Sequence, residues 1–231
     1  MSVRADSDPS TLWDAKQGQM GAPEKRAMGE PSSTLVADYF MKMAPEVFLS
    51  PSQPVRTVLF CGATRGVGCT SVCMKAAEAL ARLTTESICV VDANFRSPSL
   101  HSAFGVSRGP GFSDFLTQAG HARSFATAAN TKNLWLLPAG NPVANPEGLF
   151  TSSTFRARLS QIAAEFRFVL IDSGAGRESA QLAPVASGAI LVIDSDKTRR
   201  EEAHRVKRIL LSVRLPLLGV IVNRTGWKIP R

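Results

Sequence analysis

Short apolar runs with no polar alternation recur along this chain, separated by stretches too long for hairpin turns. Residues 58–61, 88–91, 134–137, 168–171, 189–193 and 217–222 each have the length of a strand and are apolar on both sides of the pleat. A strand of that kind must be covered on both faces, which in practice means a parallel sheet with helical crossovers. The intervening segments supply the helices. Residues 70–83 place Val72, Ala76, Leu80 and Leu83 on one stripe; residues 199–213 turn Val206, Ile209, Leu210 and Val213 inward and leave Arg199, Arg200, Arg205 and Arg208 in water. The fold class expected is α/β, a three-layer sandwich with a mainly parallel sheet and helices on both faces.

The 231 residues, 44% hydrophobic and 20% charged, suffice for one buried core and a modest extension. Residues 1–33 are rich in Ser, Pro, Gly and mixed charge without periodicity, and are expected to form a disordered tail. Residues 34–54 read as a docking helix and linker. Leu35, Val36, Tyr39, Phe40 and Met43 fall at helical spacing before Pro45, Tyr39 lies on their apolar stripe, and residues 50–54 carry two prolines. Residues 55–231 form the domain proper. With no long apolar span and no secretory leader, a cytoplasmic location is expected. Cys61, Cys69, Cys73 and Cys89 lack metal-site spacing and read as reduced core or loop thiols. His101 and His204 read as a loop and a surface histidine, and Trp135 as core. The net charge of +8 attracts anions without choosing one; a basic but ordinary surface explains it equally well.

The first apolar run leads into Ala63-Thr64-Arg65-Gly66-Val67-Gly68-Cys69-Thr70 and then a helix. A glycine-rich turn between a strand and a helix cradles phosphate with backbone N–H groups and the positive helix terminus. Gly66 and Gly68 allow close approach, Thr70 stands where a hydroxyl ligates magnesium, and Ser71 is its neighbour. The lysine that neutralises the outer phosphates in such loops is replaced by Cys69. Arg65 and Lys75 are the nearby cations available as substitutes, although a solvent-facing turn is the commoner setting for a residue such as Arg65. A helix amino terminus lowers thiol pKa, which leaves oxidation of Cys69 open; a small residue closing the turn is the favoured reading.

These residues resemble the cytoplasmic domain of bacterial tyrosine kinases of the capsule and exopolysaccharide type, within the MinD/ParA group of P-loop proteins. The loop is similar to A-T-P-G-E-G-K-S-T, with Arg65, Val67 and Cys69 departing from it. The segment from Val90 to His101 is similar to I-D-A-D-L-R-R-P-S-L-H and is the most specific match: Asp92 takes the place of a metal-organising acid, Asn94 that of a second acid, and Arg96 that of the arginine beyond it. Gly111 to Leu116 resembles G-L-S-D-x-L, Asn133 to Gly140 resembles N-L-x-x-L-P-A-G, and Val169 to Asp172 resembles a Walker B strand. Asn223 and Arg224 stand where the family meets the adenine base. The resemblance implies ATP or ADP with Mg2+ as cofactors, held by Arg65, Gly66, Val67, Gly68, Cys69, Thr70, Ser71, Arg96 and Asn223. Thr70, Asp92 and Asp172 would hold the metal, and Asp92 and Asp172 would be the catalytic acids. It also implies a membrane polysaccharide chain-length regulator or co-polymerase as partner, with recruitment to the inner face of the membrane, and leaves room for a homo-oligomer. Nucleic acid is not among the expected partners. Tyr39 is the sole tyrosine, so the tyrosine-rich tail of such kinases has no counterpart, and the arginines of the family's ring-forming helix are missing.

Three functions are open at this point. The first is a degenerate kinase-like regulator or scaffold in polysaccharide biosynthesis and export, with weak or absent phosphotransfer. The second is an active ATPase or tyrosine kinase in which Arg65 or Lys75 replaces the lysine. The third is a partitioning-type module that offers Lys197, Arg199, Arg200, Arg205, Lys207, Arg208 and Arg214 to DNA or anionic lipid.

Overall fold

The structure, a computed structural model, describes residues 33–50, 55–151, 154–175 and 178–224. The tail expected over residues 1–33 and the linker over residues 50–54 lie almost wholly outside them. The described chain runs α1 (Ser33–Phe48), β1 (Thr57–Gly62), α2 (Cys69–Leu83), β2 (Ile88–Asp92), α3 (Leu100–Phe104), α4 (Phe112–Thr117), β3 (Thr127–Ala128), β4 (Leu134–Leu137), α5 (Pro146–Thr151), α6 (Phe155–Glu165), β5 (Phe168–Ala175), α7 (Glu178–Leu182), β6 (Gly188–Asp194), α8 (Arg200–Ser212) and β7 (Leu217–Asn223). Each of the six apolar runs is a strand.

The sheet has seven strands in the order β3-β4-β2-β5-β1-β6-β7. All pairs are parallel except the two-residue β3, which lies antiparallel to β4 and is too short and exposed to announce itself in the sequence. β1, β2 and β6 are buried along their whole length, which is why their sequences carry no polar alternation. The two pleat faces divide the core. Val58, Phe60, Val90, Leu170 and Ile190 face α2, whose Val72, Cys73, Ala76 and Leu80 are buried against them. The opposite face is covered by α6, α7 and α8.

α1 runs through Pro45 to Phe48, farther than the sequence suggested. Its buried stripe is Phe40, Ala44 and Phe48, spaced i, i+4, i+8; it packs on α2, and Phe48 meets Phe168 edge-on at 6.1 Å. Tyr39 is not on that stripe: it is 45% exposed, one position round the helix from Phe40. In α8, Val206 and Leu210 are buried as expected, but Val213 lies beyond the helix end and is exposed. Trp135 is half-buried, with the Arg123 guanidinium 5.1 Å from its ring centre.

Candidate functional site

The carboxyl ends of β1, β2, β5, β6 and β7 converge, and the strand ends and the loops leaving them assemble the site. Asp92, the last residue of β2, pairs with Asp172, three residues before the end of β5, and both are fully buried. Asp92 accepts hydrogen bonds from the backbone N–H of Asn94, Ser99 and Leu100; Asp172 accepts from Gly174 N at 3.0 Å and from Thr70 Oγ1 at 2.5 Å. Thr70 reaches Asp172 because it sits in the first turn of α2, directly after the loop from β1. Ser99 Oγ lies 3.5 Å from Thr70 Oγ1 and closes the ring of oxygens. Burial, and next the charge of Asp172, push the Asp92 carboxyl up to about 7, against the pull of its three backbone donors. Burial likewise raises Asp172, opposed by Thr70 and Gly174.

Two facing buried acids with neutral donors around them fit a hard divalent cation. Such a cation takes oxygen ligands, and magnesium commonly uses one or two carboxylates and completes its shell with water and phosphate. Asp92, Asp172 and Thr70 are the residues that would hold it. Among the described residues no cluster of three or more His, Cys, Asp or Glu side chains forms an all-protein metal cage.

The loop beside them has the form of a phosphate cradle. Gly66 and Gly68 have φ of 78° and 85°, values at which an L side chain is strained. A Cβ at Gly68 would stand 2.3 Å from Asn223 Nδ2, so this glycine also admits the asparagine of β7. Asn223 Nδ2 donates to Val67 O at 2.8 Å and ties the end of β7 to the loop. Val67 is buried, Ser71 and Arg96 are exposed, and Arg65 reaches outward to donate from Nη2 to Ser97 Oγ at 2.6 Å.

At the lysine position, the Cys69 side chain points into the core, 7% exposed, with its S–H directed at Asp172. Burial, then the Asp172 charge and the neighbouring Cys61 and Cys73 thiols, hold its pKa well above the ordinary value. The expectation that the helix terminus would lower it is therefore corrected: desolvation and a facing carboxylate outweigh the dipole, and Cys69 is a neutral thiol. Lys75 is half-buried and stands six residues up α2 from Cys69, about 9 Å of helix rise.

Two features of the site could not be read from the sequence. One is what Asn94, noted there only as replacing an acid, does with its side chain: its Nδ2 donates to Ser97 O and its atoms fill the space above Gly174, where a Cβ would come within 2.7 Å. The other is Asp194, buried at the end of β6, which pairs with Arg224 at 3.2 Å. A cavity of about 320 Å³ lies beside the acid pair, lined by Asn94, Phe95, Arg96, Asn145, Phe150 and Ser173 among others.

No protein-family model matches the chain. Curated relatives are bacterial tyrosine-protein kinases. YwqD of Bacillus subtilis is 28% identical over 85% of this chain and 84% of its own length. The putative kinase CapB of Staphylococcus aureus is 24% identical over 58% of this chain and 60% of its own. Wzc of Salmonella typhi is 26% identical over 64% of this chain, which spans only 20% of that protein. Similar solved structures include the chimerical protein CapA2B2 (TM-score 0.75, 21% identity, 81% of this chain and 84% of that one) and the VpsO kinase domain (0.74, 24%, 83% and 95%). The septum site-determining protein MinD of Pyrococcus horikoshii, complexed with Mg-ADP, matches with TM-score 0.63 at 23% identity over 74% of this chain and 71% of its own. The α/β sandwich is thus that of the MinD/ParA P-loop proteins.

Proposed function

We propose, from homologues that are bacterial tyrosine-protein kinases of capsule and exopolysaccharide systems, that this chain is a nucleotide-binding regulator or scaffold of polysaccharide biosynthesis and export with weak or absent phosphotransfer. The observation that carries the reading is the buried, neutral Cys69 at the lysine position, beside an acid pair, hydroxyl and glycine cradle that are otherwise complete. Bound magnesium and ATP would supply the electrophilic phosphoryl group; the chain would supply its positioning. Gly66 and Gly68 would free the backbone N–H groups for phosphate, Thr70, Asp92 and Asp172 would hold the metal, and Asn223 would meet the base. A thiol gives no fixed charge to the outer phosphates, and the charge that develops in phosphoryl transfer is met almost wholly by such groups. Ground-state binding then suffers less than turnover does.

A cytoplasmic domain recruited to the membrane by a chain-length regulator or co-polymerase accords with the Wzc and CapA2B2 relationships. Among the described residues no helix is long and apolar enough to cross a membrane.

The test is phosphotransfer by the purified chain with Mg-ATP, read as ATP hydrolysis and phosphotyrosine, beside Cys69→Lys and Asp172→Ala. The expected result is turnover far below the roughly 1–100 s⁻¹ of working kinases, rising in Cys69→Lys. Turnover within that range in the unaltered chain, abolished by Asp172→Ala, would overturn the reading in favour of an active kinase or ATPase.

A further inference from the structure

The loss of the lysine leaves the question of what neutralises a phosphate chain in this loop. Between Ala63 and Ser71 the one basic residue is Arg65. Its guanidinium spans from the phosphate loop to the turn after β2 and donates to Ser97 Oγ; the same turn carries Ser99, whose hydroxyl lies 3.5 Å from Thr70 Oγ1 and whose N–H donates to Asp92. The acceptor is well held: Ser97 N donates to Asn94 O and Oδ1, and Asn94 Nδ2 returns a bond to Ser97 O at 3.0 Å. The guanidinium is not. It is exposed, it uses a neutral hydroxyl as its partner, and four of its five donors are left over from that bond.

The next residue, Gly66, sits at φ 78°, and apart from its chain neighbours no atom lies within 4 Å of where a side chain would begin, so the loop is open there. Two other cations near the loop are worse placed. Lys75 stands about 9 Å up the helix from Cys69, and Arg224 is engaged by Asp194 at 3.2 Å. Arginine meets phosphate with two parallel donors at once and with opposite charge, whereas Ser97 Oγ offers one neutral acceptor to one donor. A phosphate chain therefore outcompetes Ser97.

We propose that Arg65 supplies the positive charge that position 69 lacks, its guanidinium exchanging Ser97 Oγ for the outer phosphate of a nucleoside di- or triphosphate. The inference rests on the reading that the loop holds a nucleotide, and makes the nucleotide a ligand retained by an exposed surface arginine instead of a buried lysine. It predicts binding without efficient transfer, since the charge arrives on a long exposed side chain and not from within the cradle.

Calorimetric titration of the full chain with Mg-ADP tests it, using the unaltered protein, Arg65→Ala, Ser97→Ala and Cys69→Lys. Arg65→Ala is expected to weaken binding at least about tenfold, while Ser97→Ala, which removes the competing acceptor, binds as tightly as the parent or tighter. Added salt should weaken the parent more than Arg65→Ala. Equal affinity of Arg65→Ala and the parent would overturn the proposal. So would equal losses in Arg65→Ala and Ser97→Ala, which would mark the pair as a strut between two loops. A binding parent that Arg65→Ala leaves unchanged removes the role of Arg65 alone; a silent parent, with native circular dichroism, removes the nucleotide reading and the role of Arg65 together, whether or not Cys69→Lys binds.

Discussion

Asp92 and Asp172 oppose each other electrostatically, because two buried carboxyls are paired across neighbouring strands. Asp92 titrates at about 7 in the folded chain against 3.8 for an ordinary carboxyl. Between those values the folded state holds a proton that the unfolded chain has released. The contribution of this group to stability is therefore greatest at acid pH, falls as pH rises towards 7, and is flat above, with a slope of at most about 1.4 kcal/mol per pH unit. Denaturant midpoints of the magnesium-free protein should be higher at pH 5.5 than at pH 7.5, and the difference should shrink in Asp92→Asn. Both acids were legible in the sequence, since each ends an apolar run. Their mutual burial was not, because register between strands 80 residues apart is a property of the sheet.

The elements differ in how openly their sequences state their roles. α2 announces itself through a stripe that the structure buries, and its glycine-rich entry needs no tertiary information to be seen. α1 is less direct: the stripe sought near Tyr39 belongs to Phe40, Ala44 and Phe48, which repeat every four residues down to the end of the helix. Phe40→Ala is expected to cost about 3–5 kcal/mol by leaving a cavity against α2, whereas Tyr39→Ala should cost about 1 kcal/mol or less. Chemical denaturation of the two variants decides between a docked helix and an accessory one. If Phe40→Ala is neutral, α1 adds nothing to the core. Val213 shows the opposite error, since a periodic pattern does not reveal where the helix stops; here Val213 caps α8 and leaves its stripe.

At the scale of the whole molecule the strand order decides what can fold. β5 lies between β1 and β2, so the first two core strands of the chain are not neighbours and are joined into one sheet only when residues 168–175 arrive. Val58 pairs with Leu170 and Gly188, contacts that span about half of the sequence. Parallel pairing at such distance delays the return on loop closure until late in folding. A chain ended at residue 166 is expected to lose cooperative unfolding and near-ultraviolet circular dichroism, and to bind a hydrophobic dye. A sharp unfolding transition in that fragment would show that β1, β2 and β4 make a stable sheet without β5.

What the sequence determined by itself was local or periodic: which runs are strands, where the glycine turn meets a helix, that position 69 lacks a lysine, and the resemblance to tyrosine kinases that these motifs carry. Such features depend on adjacent residues, since pleat, helix period and turn chemistry act over a few positions. The tertiary structure alone decided that Cys69 is a buried neutral thiol, that Arg65 reaches Ser97, that Asn94 covers Gly174 and that Asp194 holds Arg224. Each depends on loops from different strands meeting at one end of the sheet, and both charge state and contact there are set by neighbours that are distant in the chain.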